Sequence, residues 1–216
     1  MPRTHTITTY QIDELSPESQ AKALDNCREI NVDDDDWYET TIETVAEVAD
    51  MLGIDTRVQR VQLANRNERL APAIYFSGFG YQGSGACFEG SYSHAEGALA
   101  AVTEELPEAT EVHSVARRLE AVQLENARQV SASVRHEGRY SHEGCTEIEV
   151  YREDDDELLT EGAEAEVASA LRAFMRWIYQ VVEQEHESLQ SDEVVRDSIV
   201  ANEVEFLENG NIYTGP

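Results

Sequence analysis

Lysine is almost absent from this chain. Of 216 residues only Lys22 is one, and the rest of the 16 basic residues are arginine, set against 44 aspartates and glutamates. The formal net charge of −28 excludes a surface that attracts nucleic acid or an anionic membrane, because the field repels both. Long hydrophobic runs are missing too. Nothing approaches the roughly 20 apolar residues of a membrane helix. The opening "MPRTHTITTYQIDEL" lacks the apolar core of a secretory signal, so the expected location is the cytoplasm. Cysteine is scarce. Cys27, Cys87 and Cys145 form no C-x-x-C pair, and buried free thiols are expected rather than a disulfide framework. No glycine-rich loop leads from a strand into a helix through a lysine, which removes a P-loop.

What is present is enough for a core. Hydrophobic residues make up 41% of the chain, well above an intrinsically disordered acidic tail. The acidic excess has two readings. It suits a partner that is itself basic, above all one that binds DNA or RNA. It also suits a salt-adapted proteome, in which acid-rich, lysine-poor surfaces are general.

The pattern of residues reads as an α+β domain over 1–216. "THTITTYQI" alternates and predicts a first strand. "SPESQAKALDNCREI" predicts a helix with Ser16 as cap and Pro17 at its first position. In "NVDDDDWYETTIETVAEVADMLGI", Trp37, Ile42, Val45, Val48 and Leu52 form an apolar face that Gly53 ends. "DTRVQRVQLANRNERLAPA" is locally basic and reads as an extended connection or strand. "AIYFSGFG" and "ACFEGSYSH" read as two strands joined by the turn "YQGSG". "HAEGALAAVTEELPEATEVHSVARRLEAVQLENARQ" predicts two helical pieces broken near Pro107. "VSASVRHEG" and "CTEIEVYRE" form a second hairpin through "RYSHEG". "EAEVASALRAFMRWIYQVVEQEHESLQ" is the longest helix. A short helix capped by Ser191 follows, and "VEFLENGNIYT" predicts a terminal hairpin on Asn209-Gly210. The expected architecture is one antiparallel sheet holding both central hairpins, with helices packed on it.

The aspartate run Asp33, Asp34, Asp35 and Asp36 resembles a cation site but lacks the alternating oxygen ligands and turn glycine of a calcium loop. Asp36 is expected to cap the next helix, with Glu39 closing a capping box. The other aspartates, with Asp154, Asp155, Asp156 and Glu157 of the loop "REDDDELLTEGAE", are candidates for an acidic partner-binding surface. Trp37 and Tyr38 are candidate anchors beside them.

The strings "ELSPESQAKALDN", "DDDDWYE", "IYFSGFGYQGSGACFEGSYS", "GRYSHEGCTEIEV" and "FMRWIYQVVEQEHESLQSDE" carry a resemblance. From about residue 10 to residue 206 the chain resembles a family of phage and prophage proteins with an "IYFSGF..QG.GACFEG" signature. The family is sometimes loosely termed antitoxin-like. The resemblance implies a mobile-DNA context, in which small acidic proteins inhibit host machinery, and it implies no catalytic residues. Where Gly80 and Ser84 stand here the family tends to have Trp and Asp, and it tends to lack a histidine at the position of His94.

One repeat needs no family. Glu-Gly-x-Tyr-Ser-His occurs at residues 89–94 and again at 137–142. In a strand, residues two apart share a face, so Tyr92 with His94 and Tyr140 with His142 are two same-face pairs. If the hairpins are neighbours the pairs converge, with Gln82 and Cys87 close by, as a candidate ligand pocket. The competing reading is turn structure and packing alone. The Cys and His spacing lacks the two tight ligand pairs of a zinc site, so no metal and no cofactor is expected. Cys87 or Cys145 with His94, His136 or His142 would be a nucleophile and base, but nothing in the sequence supplies the electropositive setting that activates a thiol.

The ranking that follows puts first a phage-type inhibitor that binds a host protein with a basic, nucleic-acid-binding surface, by charge mimicry rather than chemistry. An enzyme or small-ligand binder centred on the repeated hairpins, and an antitoxin-like neutralising partner, are the alternatives.

Overall fold

The computed structural model describes residues 6–34, 36–62, 68–153 and 158–215. The fold is α+β, with antiparallel sheets throughout. The chain divides into two compact units, one made of residues 1–38 and 184–216, the other of residues 39–183.

The smaller unit is helical. Ser16 accepts a hydrogen bond from the Ser19 N–H and starts α1, Pro17–Asn26. Its buried side includes Ala23 and Leu24, which join Ile12, Leu15, Cys27, Val195, Ile199 and Phe206 in one apolar cluster. The described residues of the first expected strand make a single bridge, Tyr10 with Phe206. The terminal hairpin is likewise a turn rather than a ladder. Gly210 adopts φ +78°, and the returning chain makes one bridge, Phe206 to Ile212.

In the larger unit α2, Glu39–Met51, buries Ile42, Val45 and Val48 as the periodicity predicts. It begins at Glu39, so the expected Asp36–Glu39 capping box does not fit. Glu39 instead meets Arg69 at 2.8 Å. Six short strands and two helices follow Gly53: β1 Ile54–Thr56, β2 Val58–Gln62, β3 Glu68–Pro72, β4 Ile74–Ser77, β5 Gly85–Phe88, β6 Gly90–Tyr92, α3 Ala98–Glu105 and α4 Thr110–Glu125. Then come β7 Val130–His136 and β8 Thr146–Arg152, joined through a 3-10 turn at Glu143–Cys145. The long helix α5, Ala163–Leu189, contributes residues 163–183 to this unit. The short helix α6, Asp192–Ala201, capped by Ser191, belongs to the smaller one.

The expectation of one sheet holding both central hairpins is corrected. β7 and β8 lie in a four-stranded sheet of order β1-β6-β7-β8, whereas β4 and β5 form a ribbon of their own, as do β2 and β3. The reason is a three-way junction. Arg57, Ala73 and Glu89 each interrupt a longer extended segment. The Arg57 N–H donates to the Glu89 carbonyl at 2.8 Å, Glu89 to Ala73 at 2.9 Å, and Ala73 to Arg57 at 2.6 Å. This closed cycle satisfies all three donors and lets each segment change partners. Before and after it, β1 pairs with β6, β2 with β3, and β4 with β5. Gly90 follows directly. A Cβ there would collide with the Asp55 carbonyl oxygen, so only glycine allows β6 to approach β1.

The four-stranded sheet has one buried face. Ile54, Tyr92 and Ala132 stand in register across it and are all buried. The neighbouring row of Asp55, Ser91 and Glu149 is exposed. Phe88 of β5 packs edge-on against Phe174 of α5, with ring centroids 6.2 Å apart.

Candidate functional site at the joined hairpin loops

The opposite face of the β4–β5 ribbon, carrying Tyr75, Ser77, Gly85 and Cys87, is covered by the β7–β8 loop. The glycines make this possible. The Tyr140 ring lies over Gly83, where a Cβ would sit 3.1 Å from the ring, and the His142 ring lies over Gly85, where a Cβ would sit 2.7 Å away. The Ser77 hydroxyl reaches the Gly83 carbonyl at 3.0 Å and the Ser141 carbonyl at 3.4 Å. The glycine-rich turn is therefore, first of all, a seat for a second loop.

Both loops are held internally. In the first, the Tyr81 N–H donates to the Ser84 hydroxyl at 3.0 Å, and the Phe79 ring lies between Phe76 and Tyr179, with centroids 6.0 and 5.9 Å away. In the second, the Glu137 N–H donates to the Cys145 carbonyl at 2.8 Å, and His142 Nδ1 accepts from the Gly144 N–H at 2.9 Å. Arg172 of α5 donates to the carbonyls of Glu143 and Thr146, each at 3.3 Å. Arg176 approaches the Glu143 carboxylate at 3.4 Å.

On this scaffold two tyrosines face solvent, Tyr81 at 78% and Tyr140 at 49% exposure. The Arg139 guanidinium lies over the Tyr140 ring, 5.9 Å from its centroid, and Gln82 is exposed next to Tyr81. Exposed aromatics and arginines on a held loop pair are the residue types that anchor protein contacts. In a chain of net charge −28 they form a locally different patch.

Among the proposed ligand residues, Gln82, Tyr140 and His142 belong to the two joined loops. Cys87 lies in the ribbon beneath them and is fully buried. Tyr92 and His94 are elsewhere. Tyr92 is 2% exposed, and its hydroxyl accepts from Gln123 Nε2 at 3.1 Å. Tyr92 pairs with Ala132, four residues along β7 from His136, roughly 13 Å at about 3.3 Å per residue. The two Tyr-His pairs therefore do not converge, because the repeat occupies opposite ends of β7.

The Cys87 thiol is pushed up to about 12, chiefly by burial and next by Cys145 and Glu89. That is the reverse of what a nucleophile needs. Among the described residues no group of three or more His, Cys, Asp or Glu side chains is placed to hold a metal ion.

Sequence reasoning missed a second polar cluster at the strand junction. The Tyr75 hydroxyl lies 3.1 Å from Gln59 Oε1 and 3.3 Å from Glu89 Oε2. Glu89 also accepts from the His136 N–H at 3.4 Å and meets Arg57 at 3.5 Å. Burial and then Glu89 raise the Tyr75 hydroxyl above its ordinary value. The cluster ties both ribbons to β7 of the four-stranded sheet. It accounts for a glutamate between the buried Phe88 and the crowded Gly90 without any ligand.

Of the acidic candidates, Asp33 and Asp34 are exposed. Asp35, Asp154, Asp155, Asp156 and Glu157 lie outside the described residues. Trp37 is half-buried, its ring 5.5 Å from Tyr38 and 5.3 Å from His186. Among the described residues no helix is long and apolar enough to cross a membrane.

The sequence model of one protein family, described as "Domain of unknown function (DUF8835)", matches residues 37–192. That span holds the two ribbons, the four-stranded sheet and the joined loops. No curated protein and no solved structure matches the chain significantly.

Proposed function

Because the chain belongs to the DUF8835 family, whose description names no activity, we propose a function from the site itself: a binding protein that acts by occupying a partner. In this reading it is an acidic accessory protein of the phage or prophage kind. It works in the host cytoplasm and inhibits a host protein that has a basic, nucleic-acid-binding surface. The observation that supports it is the pair of exposed tyrosines, Tyr81 and Tyr140, on two loops locked together. Buried aromatic anchors dominate interface energies, while charges around them steer encounter and select partners. The chain's carboxylates, among them Asp33, Asp34, Asp35 and the run Asp154 to Glu157, supply that field and stand in for phosphates toward a basic partner.

Affinity capture from host lysate at low and high salt tests this. Exposed attractions are screened within about 8–10 Å near physiological ionic strength, so a partner held by mimicry leaves at high salt. Tyr81→Ala with Tyr140→Ala is expected to release that partner while circular dichroism stays unchanged. Neutralising Asp33, Asp34, Asp35, Asp154, Asp155, Asp156 and Glu157 is expected to remove the salt dependence. Capture of every partner at wild-type strength by both variants would sink the reading.

A further inference from the structure

Tyr92 and His94 raise a question that the exposed platform does not answer. Both line a small, partly open cavity of about 10 Å³, together with Leu52, Ala98, Leu119, the exposed Glu120 and Gln123. His94 Nε2 is buried and has no hydrogen-bond partner within the protein. The Tyr92 hydroxyl accepts from Gln123 Nε2. The Gln123 carbonyl is already engaged by the Val130 N–H at 3.1 Å, so Gln123 offers that hydroxyl no acceptor. A phenol that accepts still has its own proton to place.

We propose that this cavity is a binding site for one ordered water, held between Tyr92, His94 and Glu120. The size fits: roughly 10–15 Å³ of such space is the least that holds a water, and a larger ligand is excluded. The polarity fits as well. The Tyr92 O–H donates to the water oxygen. One water hydrogen goes to His94 Nε2 and the other to the Glu120 carboxylate, which satisfies both orphaned groups and gives the water three partners, the usual number. Leaving them unmet would cost the full desolvation of each buried group. The water links β6, the segment leading to α3, and α4. The first Tyr-His pair of the repeat thus forms a site after all, one built for water and unconnected with the exposed platform.

The test is a crystal structure that resolves ordered solvent, joined with water-to-protein Overhauser measurements on the wild-type protein. The expected result is a solvent peak at about 2.7–3.2 Å from both Tyr92 Oη and His94 Nε2, and a cross-peak from the His94 ring to a long-lived water. Tyr92→Phe should lower stability and abolish that cross-peak, and His94→Phe should lower stability and remove the solvent peak. A dry cavity, or a direct Tyr92–His94 hydrogen bond with no solvent peak, overturns the proposal. The wild-type measurements decide the matter even if a variant fails to fold.

Discussion

The hexapeptide at 89–94 and its copy at 137–142 have the same letters and opposite fates. In the first copy Glu89 closes the strand junction, Gly90 lies against the Asp55 carbonyl, and Tyr92 is buried in the sheet. In the second, Glu137 is exposed, Gly138 takes φ +115° in a loop, and Tyr140 lies on the surface over Gly83. The difference lies in what crosses each copy. The first is a middle strand with β1 on one side and β7 on the other, whereas the second has run past the end of its ladder. A repeated motif does not fix a repeated conformation: residues 90–92 form a strand and 138–140 a bend, and the neighbours decide which.

Chemistry should separate the two regions most widely. At pH 8 a thiol near 12 holds about a thousandfold less thiolate than one of ordinary value. Burial slows it further. Alkylation followed by mass spectrometry should therefore find Cys87 the slowest thiol and half-exposed Cys145 faster. Equal rates would show that the loop seat opens readily. The sign for stability follows: a raised acid loses stability as pH climbs above its unfolded value, so Cys87 weakens the fold only above about pH 9.

Backbone crowding gives the next largest contrast. Gly90→Ala forces a Cβ into the Asp55 carbonyl and is expected to cost about 3 kcal/mol or more. Gly138→Ala meets only Cys145 at 3.7 Å and pays for its positive φ, about 1–2 kcal/mol. Urea denaturation of the two variants tests this, and equal losses would erase the distinction between the copies.

A smaller effect distinguishes the tyrosines. Tyr92→Phe leaves a donor of the buried Gln123 with one acceptor fewer and should cost about 1 kcal/mol. Tyr140→Phe, at the surface, should stay within about 0.5 kcal/mol. Thermal denaturation of both variants checks the order.

The smallest effect lies away from both copies, on the first turn of α5. The Arg118 hydrogen bond at 2.6 Å holds the Glu166 carboxyl below its ordinary value. A depressed carboxyl contributes stability above its unfolded pKa, and that contribution is lost as pH falls through the folded one. Glu166 is well exposed, so solvent screening keeps this under about 1 kcal/mol. Carbon-detected titration should show Glu166 moving up toward the ordinary range in Arg118→Ala.

The exposed Tyr81 was legible in principle, since an aromatic flanked by turn glycines has no neighbours to bury it. The partners of Glu89 were not, because Arg57, Tyr75 and His136 are far from it in sequence and meet it only through separate strand pairings. The basic stretch 57–69 read as a connection or single strand, yet it forms most of a ribbon, β2 with β3. Its hairpin signal was weak, with only partial alternation and no turn glycine.

Local chemistry alone determined the α+β class, the helices α1, α4, α5 and α6 with their caps or apolar stripes, and the hairpins 74–88 and 130–152. Each depends on residues a few positions apart, where propensity, capping and alternation act. Only the tertiary structure decided that the strands change partners at Arg57, Ala73 and Glu89, that one glycine-rich loop seats another, and that one Tyr-His pair lines a small cavity while the other reaches the surface. Those outcomes depend on which backbone donors and which Cβ-free surfaces meet across the fold, and such meetings are set by packing between distant segments.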